Sequence, residues 1–442
     1  MNIAIYTVRS VADALLQPYL VIMLILVSIM LFRQNKKTSD MQKLIMGESQ
    51  NTALELTISQ IVIGIIAGTI CSLILSYLGV IFLEESAISL IFVLSIVLMF
   101  WRPRFICFSY SGAILGLFSI ALSAISFSGL KQISILGNNI NLTGIDFLKI
   151  DIVSLVTLIG IIHLVEGFLV IIDGDRGALP VFTNRDEKII GGFAFQRYWV
   201  LPIAVLLLLK SNNAISGSGQ DMPLWWPLLK TNIPLKMLIA AGVGLVPFYG
   251  VLGYSNITFT MEKKKKTLTS GIIIALYGVL LTLVAQLARL GYAGSIFAVI
   301  FMPLAHEALL YAQRHFEING NPKYVSGEDG IMVLDVSVNS PAHEMGIKSG
   351  DKLIEINNQK IVDEEEILKI LMEGVNFIWF KIKEANGNLK DVSYNKMNKF
   401  KRLGIVFVPK GIPKDTTIIK FSDTKFSDFL DKFKKDNKDD DI

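Results

Sequence analysis

Histidine and glutamate occur together at two places in stretches that are otherwise apolar. His163 and Glu166 stand three residues apart in GIIHLVEGF, and His306 and Glu307 are adjacent in PLAHEALL. Residues three apart share one face of a helix. An ionisable side chain at membrane depth costs about 2.5–3.5 kcal/mol on insertion scales, so each of these pairs needs a structural or functional reason.

A zinc protease that cuts within the membrane is the first hypothesis for these residues. Such a helix needs two histidines four residues apart, so that both imidazoles reach one metal, with glutamate as the base. Position four after His306 is Leu310, and the next histidine is His315. An acidic third ligand could be sought at Asp173 in IIDGDRG, but Asp-Gly at a helix end is ordinary turn chemistry. The spacing therefore predicts no catalytic residue and no metal ligand.

Two other hypotheses remain for the four ionisable residues. They pair with one another across a helix bundle and determine its packing, which is the interpretation we favour, or they line a path for protons or ions. The cysteines Cys71 and Cys107 lie in apolar stretches without metal-ligand spacing. Both are therefore expected to be apolar packing residues, and no cofactor is expected.

Most of the first three quarters of the chain consists of apolar segments that would place these residues in a membrane. The 442 residues are 52% hydrophobic and 18% charged, whereas a soluble domain carries about 25% charged residues. Apolar windows long enough to cross a bilayer recur along the chain. They predict about nine spans, near residues 12–32, 57–83, 86–101, 105–126, 150–172, 193–209, 233–253, 268–288 and 290–312.

The loops between the predicted spans alternate in charge, which predicts the orientation in the membrane. Basic residues cluster in alternate loops, at 33–43, 102–104, 176–197 and 263–266. The other loops include the acidic pair Glu84–Glu85 and an aromatic pair, Trp225–Trp226, that is typical of the outer interface. The alternation requires the weak sixth segment to span. It then places the N-terminus outside and the C-terminus in the cytoplasm.

The pattern after Glu317 is that of a small soluble module. GIMVLDVSV at 330–338 predicts a strand of apolar, β-branched residues. The following stretch, NSPAHEMGIKSGDKLIEINNQKI, predicts a short helix, a turn and a second strand. Asp363 predicts the start of a further helix whose buried stripe includes Ile367 and Ile370. Asn386-Gly387 is a strong hairpin signal between two later strands.

The run SPAHEMGIKSGDKLIEIN, together with KRLGIVF near the end, resembles a PDZ domain of the circularly permuted bacterial type over about residues 318–410. The resemblance implies a peptide-binding groove. Gly404 would let the backbone turn its N–H groups toward a ligand carboxylate, and the strand after it would offer an open edge to an extended peptide. The residues implied are Lys401, Arg402, Leu403, Gly404, Ile405, Val406 and Phe407, with Ile367 and Ile370 on the helix.

Residues 411–442 form a charged tail that ends in KKDNKDDDI. Its last residue, Ile442, has the chemistry of a PDZ ligand, and a tether of this length could place it in the chain's own groove. Two alternatives stay open: the tail is an amphipathic helix on lipid or on a partner, or it is a loosely packed extension. A further alternative is that the module binds no peptide.

The sequence thus predicts an α-helical polytopic membrane domain at 1–317 followed by a small, mostly β PDZ domain. This architecture, with ALELTISQIVIGIIAGTI at 53–70, resembles the MinJ-like membrane scaffolds of division-site selection in Gram-positive bacteria. The resemblance implies a non-enzymatic adaptor that bridges DivIVA and MinD, is enriched at septa and poles, and has no nucleic-acid partner. The rival is a PDZ-regulated intramembrane protease or transporter that uses His163, Glu166, His306 and Glu307.

Overall fold

The computed structural model describes residues 3–101, 103–127, 132–135, 138–141, 149–209, 225–229, 242–373, 376–397 and 402–411. The helices before the soluble module are α1 (Ile3–Ala14), α2 (Pro18–Met46), α3 (Ala53–Leu78), α4 (Leu90–Trp101), α5 (Phe108–Phe127), α6 (Ile152–Asp173), α7 (Lys263–Ala285) and α8 (Tyr292–Asn319). The strands of this region are β1 (Ile81–Leu83), β2 (Gln132–Ile135), β3 (Asn138–Asn141), β4 (Leu179–Arg185), β5 (Lys188–Leu209) and β6 (Gly242–Thr258). The module contains β7 (Tyr324–Val325), β8 (Ile331–Val336), α9 (Pro341–Glu344), β9 (Lys352–Ile356), β10 (Gln359–Lys360), α10 (Glu364–Met372), β11 (Ile378–Lys383), β12 (Leu389–Tyr394) and β13 (Ile405–Phe407).

Six helices among the described residues are long and apolar enough to cross a membrane, namely α2, α3, α5, α6, α7 and α8. Helix α3 shows how they would meet lipid. Along one face it exposes large apolar side chains at four-residue intervals: Leu54, Ile58, Val62, Ile66 and Ile70. A continuous exposed apolar stripe of this kind is unfavourable in water and is solvated by acyl chains. The chain is therefore a membrane protein.

The sixth and seventh predicted spans are wrong as helices. They fall largely on β5 and β6, which form a long antiparallel ladder from Phe193 opposite Thr258 to Leu209 opposite Gly242. A fully buried strand is apolar on both faces, so its sequence cannot be told from a buried helix by periodicity. The predicted count of about nine spanning helices is not confirmed, and the third predicted span is a helix of only 12 residues.

The hairpin nevertheless runs the length of the helix bundle. At one end of β5, Leu206 to Leu208 pair in parallel with β1, which follows α3. Near the other end, Ile190 and Gly191 pair with β7, which leads into the module. Strand β5 therefore extends from one end of the bundle to the other, as the predicted sixth span would have done.

Small residues on α3 let this helix pack directly against the backbone of β5. A Cβ added at Gly64 or Gly68 would overlap the carbonyl oxygen of Val200 or Pro202, respectively. One turn later, the hydroxyl of Ser72 accepts a 2.9 Å hydrogen bond from the N–H of Ala204. Close approach through small residues is a common way to pack elements inside a membrane. Here the close packing also gives the backbone N–H of Ala204 a hydrogen-bond acceptor, which lipid could not supply.

A buried ion pair holds the hairpin to α6. The guanidinium of Arg197, only 1% exposed, donates to the carboxylate of Asp173 through Nη2 and through Nε, the latter at 3.1 Å. Trp199 Nε1 donates to the same carboxylate at 2.8 Å, and Arg197 also donates to Ser59 Oγ at 2.9 Å. Asp173 is therefore the buried partner of an arginine, and it also begins the predicted turn, because its carbonyl accepts from the N–H of Arg176 at 3.3 Å.

Removal of one member of this pair should destabilise the fold strongly, because it leaves an uncompensated buried charge at a cost of about 3–5 kcal/mol. We expect Arg197→Leu and Asp173→Leu each to lower the thermal midpoint of the detergent-purified protein and its abundance in membranes. The double substitution should recover part of the loss, since it leaves no lone charge.

The matched control is Lys188→Leu, which removes an exposed charge at the first position of the same strand. It should leave the thermal midpoint nearly unchanged. Single substitutions at Arg197 and Asp173 that behaved like this control would show that the pair does not carry the packing.

Candidate functional site

The elements of the soluble module lie where the sequence predicts them. Strand β8 is followed by the short helix α9, whose first turn is capped by Ser340 Oγ accepting from the N–H of His343 at 3.2 Å. Asp363 caps α10 in the same way, by accepting from the N–H of Glu366 at 3.0 Å. Strands β11 and β12 pair in the predicted hairpin. The sheet order is β12-β11-β9-β8-β13, with β10 paired to β9.

The predicted carboxylate-binding loop is anchored on the start of α9. The carbonyl of Leu403 accepts from the N–H of Ala342 at 3.2 Å, and the carbonyl of Gly404 accepts from the N–H of Ser337 at 2.8 Å. Gly404 has a φ of +76°, and a Cβ there would overlap the side chain of Ser340. Both facts require glycine at this position. The left-handed backbone at Gly404 is therefore held in place by its neighbours.

Strand β13 lies at an edge of the module's sheet. It pairs with β8 on one side, and the described residues place no strand on its other side. An unpaired edge offers N–H and C=O groups to an added peptide strand. Ile405 and Phe407 on β13, and Ile370 on α10, are half-buried and pack on the module's core. These three residues could contact the side chains of a peptide at that edge.

Several predicted groove residues have other positions. Ile367 and Leu403 are 0% and 5% exposed in the module's core, so they support the cleft and do not line it. Val406 is buried on the opposite face, in the core shared with the membrane region. Arg402 is exposed, as a carboxylate-binding cation would be. Lys401 and the tail residue Ile442 lie outside the described residues.

Among the described residues, the module packs on the membrane region through an apolar surface and two ion pairs, one of which joins Lys323 to Glu262 at 2.8 Å. Leu334 and Val408 lie against Gly191 of β5, in the same buried cluster as α3 and α6. Lys263 Nζ, at the start of α7, lies 2.9 Å from the buried carboxylate of Asp335. Lys263 belongs to the basic run that the orientation argument assigns to a loop. In the structure, its side chain binds Asp335 and so holds the module against α7.

Loss of this contact should loosen the module on the bundle. We expect Lys263→Ala to speed amide hydrogen exchange in β8, roughly tenfold or more, because a hydrogen bond to a charged group contributes about 1.5–3 kcal/mol. Lys264→Ala, which removes an exposed neighbour in the same run, is the control and should leave β8 protected. Equal exchange in the two variants would contradict the assigned contact.

The binding loop also lies beside the connection between α2 and α3. A Cβ added at Gly47, where α2 ends, would lie 2.6 Å from Cδ of Arg402. Three residues later, Gln50 Nε2 donates to Asp335 at 3.4 Å. The carboxylate end of the cleft is thus built against a membrane helix, which ties its geometry to the bundle.

The structure brings together the ionisable residues of the apolar segments. The rings of His163 on α6 and His306 on α8 have centroids 6.0 Å apart. Glu166 lies 3.9 Å from Nε2 of His163. Glu307 accepts a 2.5 Å hydrogen bond from the hydroxyl of Tyr110, which also lies 3.2 Å from Nδ1 of His306. The two predicted pairs are therefore one cluster between α5, α6 and α8.

Cys107 belongs to this cluster, so the expectation that it is only an apolar packing residue is wrong. Its Sγ lies 3.0 Å from Nε2 of His163. One ligand atom each from Cys107, His163 and His306 lie within 4.8 Å of one another. The sequence could not show this grouping, since the three positions are far apart along the chain. Cys71 is fully buried in the apolar core, as predicted.

The turn that carries Cys107 lies inside the bundle. Ser109, at the start of α5, approaches His163 in the middle of α6, whereas Ser119, further along α5, bonds to Ile150 just before α6 begins. The short 3₁₀ helix Pro103–Ile106 and the turn at Cys107, where the chain leaves the α-helical conformation, thus lie near mid-height of α6. Irregular backbone at such depth is tolerated only where protein surrounds it or a cavity adjoins it.

The second motif of an intramembrane zinc protease is not supported. The carboxylate of Asp173 is taken by Arg197 and Trp199, and Glu307 accepts from Tyr110. Asp173, the acidic ligand that the sequence hypothesis considered, also lies ten residues after His163 on the same helix, which is about 15 Å along its axis and too far for one metal ion.

Comparison with known proteins agrees with the module and with the membrane architecture. A PDZ domain family model matches residues 332–377. The cell division topological determinant MinJ of Bacillus subtilis (strain 168) is 24% identical over 228 residues, which are 50% of this chain and 52% of MinJ. The serine endoprotease DegS of Haemophilus influenzae is 44% identical over 46 residues, 10% of this chain and 14% of DegS, and this match covers the PDZ segment only. No solved structure matches.

The chain spans about half the length of MinJ and a much smaller part of DegS. Over that half it is similar to MinJ, and it contains a PDZ domain.

Proposed function

We propose that this protein is a non-enzymatic membrane adaptor of division-site selection, and that its PDZ cleft recruits protein partners by their carboxy-terminal peptides. The observation that carries the proposal is the unpaired edge of β13 beside the loop Arg402–Gly404. That edge belongs to a module held on apolar helices. The similarity to MinJ supports the process, division-site selection, and the bridging of a DivIVA-like and a MinD-like partner belongs to the proposal.

The proposed organisation is a membrane domain at 1–317, a circularly permuted PDZ domain at 318–410 and a charged tail at 411–442. The position of β13 supports the permuted type, because the strand beside the binding loop comes last in the module. The proposed location is the cell membrane, with enrichment at septa and poles. The N-terminus would be outside and the module in the cytoplasm.

Reversal of the charge at the loop should weaken peptide binding. We expect Arg402→Glu to lower the affinity of the full chain, purified in detergent, for peptides with a free carboxy terminus by roughly tenfold or more, since a charge-assisted hydrogen bond contributes about 1.5–3 kcal/mol. Wild-type protein should bind the amidated peptides as weakly as the variant binds the free ones. Fluorescence anisotropy with a peptide library measures both.

Lys390→Glu supplies the matched control, because it reverses an exposed charge on β12 at the far edge of the same sheet. In cells, fluorescent fusions of the control should keep the enrichment at septa and poles, and fusions of Arg402→Glu should lose it. Unchanged binding and location in Arg402→Glu would reject the cleft as the recruiting site. If removal of residues 440–442 raises peptide affinity, the tail occupies the cleft.

The proposed orientation predicts which sites are open to a membrane-impermeant thiol reagent in intact cells. A cysteine at Leu290, an exposed residue between α7 and α8 at the end remote from the module, should be labelled. A cysteine at Lys390 should be protected until the cells are permeabilised. Wild-type protein, whose cysteines lie within the bundle, gives the background. The reverse pattern would invert the orientation.

A further inference from the structure

We propose that Cys107, His163 and His306 bind one transition-metal ion of the zinc class inside the membrane region. The three ligand atoms come from the turn before α5, from the middle of α6 and from α8, and they lie within 4.8 Å of one another. In a tetrahedral zinc site the Zn–S distance is about 2.3 Å and the Zn–N distance about 2.0–2.1 Å, which places ligand atoms about 3.3–3.7 Å apart. A small rearrangement would convert the cluster into such a site: the 3.0 Å separation of Cys107 Sγ and His163 Nε2 would widen, and any separation longer than this range would shorten.

Hydrogen bonds outside the cluster already orient the imidazole of His163. Its Nδ1 lies 2.8 Å from the carbonyl oxygen of Ile159, which can only accept, so Nδ1 carries the hydrogen. The lone pair is then on Nε2, the atom that faces Cys107 Sγ at 3.0 Å. A histidine that donates its other N–H to a backbone carbonyl is the usual outer arrangement around a metal ligand.

Two successive hydrogen bonds orient the imidazole of His306 in the same way. The hydroxyl of Tyr110 donates its hydrogen to the carboxylate of Glu307 at 2.5 Å. Its oxygen therefore accepts from Nδ1 of His306 at 3.2 Å, and the lone pair of that imidazole is on Nε2. Glu307, Tyr110 and His306 thus form a carboxylate-supported relay, and both imidazoles offer Nε2 as the unprotonated atom.

The neighbouring hydroxyls do not compete for these lone pairs. Tyr277 donates to the carbonyl of Met302 at 2.6 Å, so its oxygen accepts the hydrogen of Ser109 at 2.9 Å. Ser109 Oγ lies 3.4 Å from Nε2 of His163 but has already used its hydrogen. The ordering of these bonds leaves the S–H of Cys107 as the close donor to Nε2 of His163. A metal ion would displace that proton, which is released to solvent, and would bind the thiolate and the freed Nε2.

The donor set determines the class of ion. One thiolate and two imidazoles suit zinc or another soft or borderline transition metal, whereas calcium and magnesium require oxygen ligands. Three protein ligands leave a fourth position, and the carboxylate of Glu166 lies near the cluster, 3.9 Å from Nε2 of His163. The thiolate and this carboxylate would balance the charge of a divalent ion, which an apolar bundle otherwise disfavours.

Bound metal would join the α4–α5 turn to α6 and α8. Because the three ligands are far apart in the sequence, an unfolded chain offers no comparable site, and binding free energy becomes folding free energy. This role does not depend on the proposed PDZ function. It explains why ionisable residues and an irregular turn occur together at this depth.

The metal content of the full chain tests the proposal. Protein purified in detergent without chelators from zinc-replete cells should carry about one zinc ion per chain, as a three-ligand site predicts. Cys107→Ser and His163→Gln should lose it. Cys71→Ser and His315→Gln change the same residue types outside the cluster and should retain it. Elemental analysis by mass spectrometry measures all five proteins, and gel filtration shows which of them are folded and monodisperse.

The absorption spectrum of the cobalt-loaded protein is a second test, and it detects the sulfur ligand directly. Wild type and Cys71→Ser loaded with Co²⁺ should show thiolate-to-cobalt charge-transfer absorption in the near ultraviolet, and Cys107→Ser should not. Folded wild-type protein that holds less than roughly a tenth of an ion per chain, both as purified and after loading, would overturn the proposal. The proposal would also be overturned if Cys107→Ser kept the charge-transfer absorption.

Discussion

Every polar group inside the membrane region must find its partner within the protein, because lipid offers no hydrogen bond. The structure meets this constraint repeatedly with side chains from distant parts of the chain. Ser72 satisfies an amide of β5, and Arg197 crosses to Asp173 on α6. The buried Glu317 on α8 accepts from Lys266 at 2.8 Å and from Thr258 Oγ1, at the end of β6, at 2.9 Å. These contacts join the hairpin of β5 and β6 to the helices, and the rest of the architecture depends on them.

Buried ion pairs and apolar contacts also fix the position of the soluble module. The first lysine of the run at 263–266 reaches Asp335 in β8, and the last reaches Glu317 at the end of α8. The module also shares an apolar core with β5 through Leu334 and Val408. It is therefore held on the bundle by buried contacts, and its cleft has a defined position relative to the membrane helices. A recruiting surface held in this way suits an adaptor, because a bound partner is placed at a set distance from the bilayer.

The cluster of Cys107, His163 and His306 has a different relation to function. Its hydrogen bonds end within the bundle, at Ile159 and Glu307. A metal there would strengthen the scaffold and would require no reaction. The proposed adaptor cleft and the proposed metal site are thus separate, and the residues that would carry them do not overlap.

Much of this protein follows from local sequence. Helix lengths, the caps at Ser340 and Asp363, the glycine at 404 and the edge strand after it are determined within a few residues, because turn chemistry and side-chain periodicity act over that range. Three features were decided by tertiary structure: the strand conformation of 193–209, the burial of Arg197 against Asp173, and the meeting of Cys107 with two histidines. Each depends on groups far apart along the chain. Periodicity carries no information about such partners, since apolar runs look alike until packing selects strand or helix.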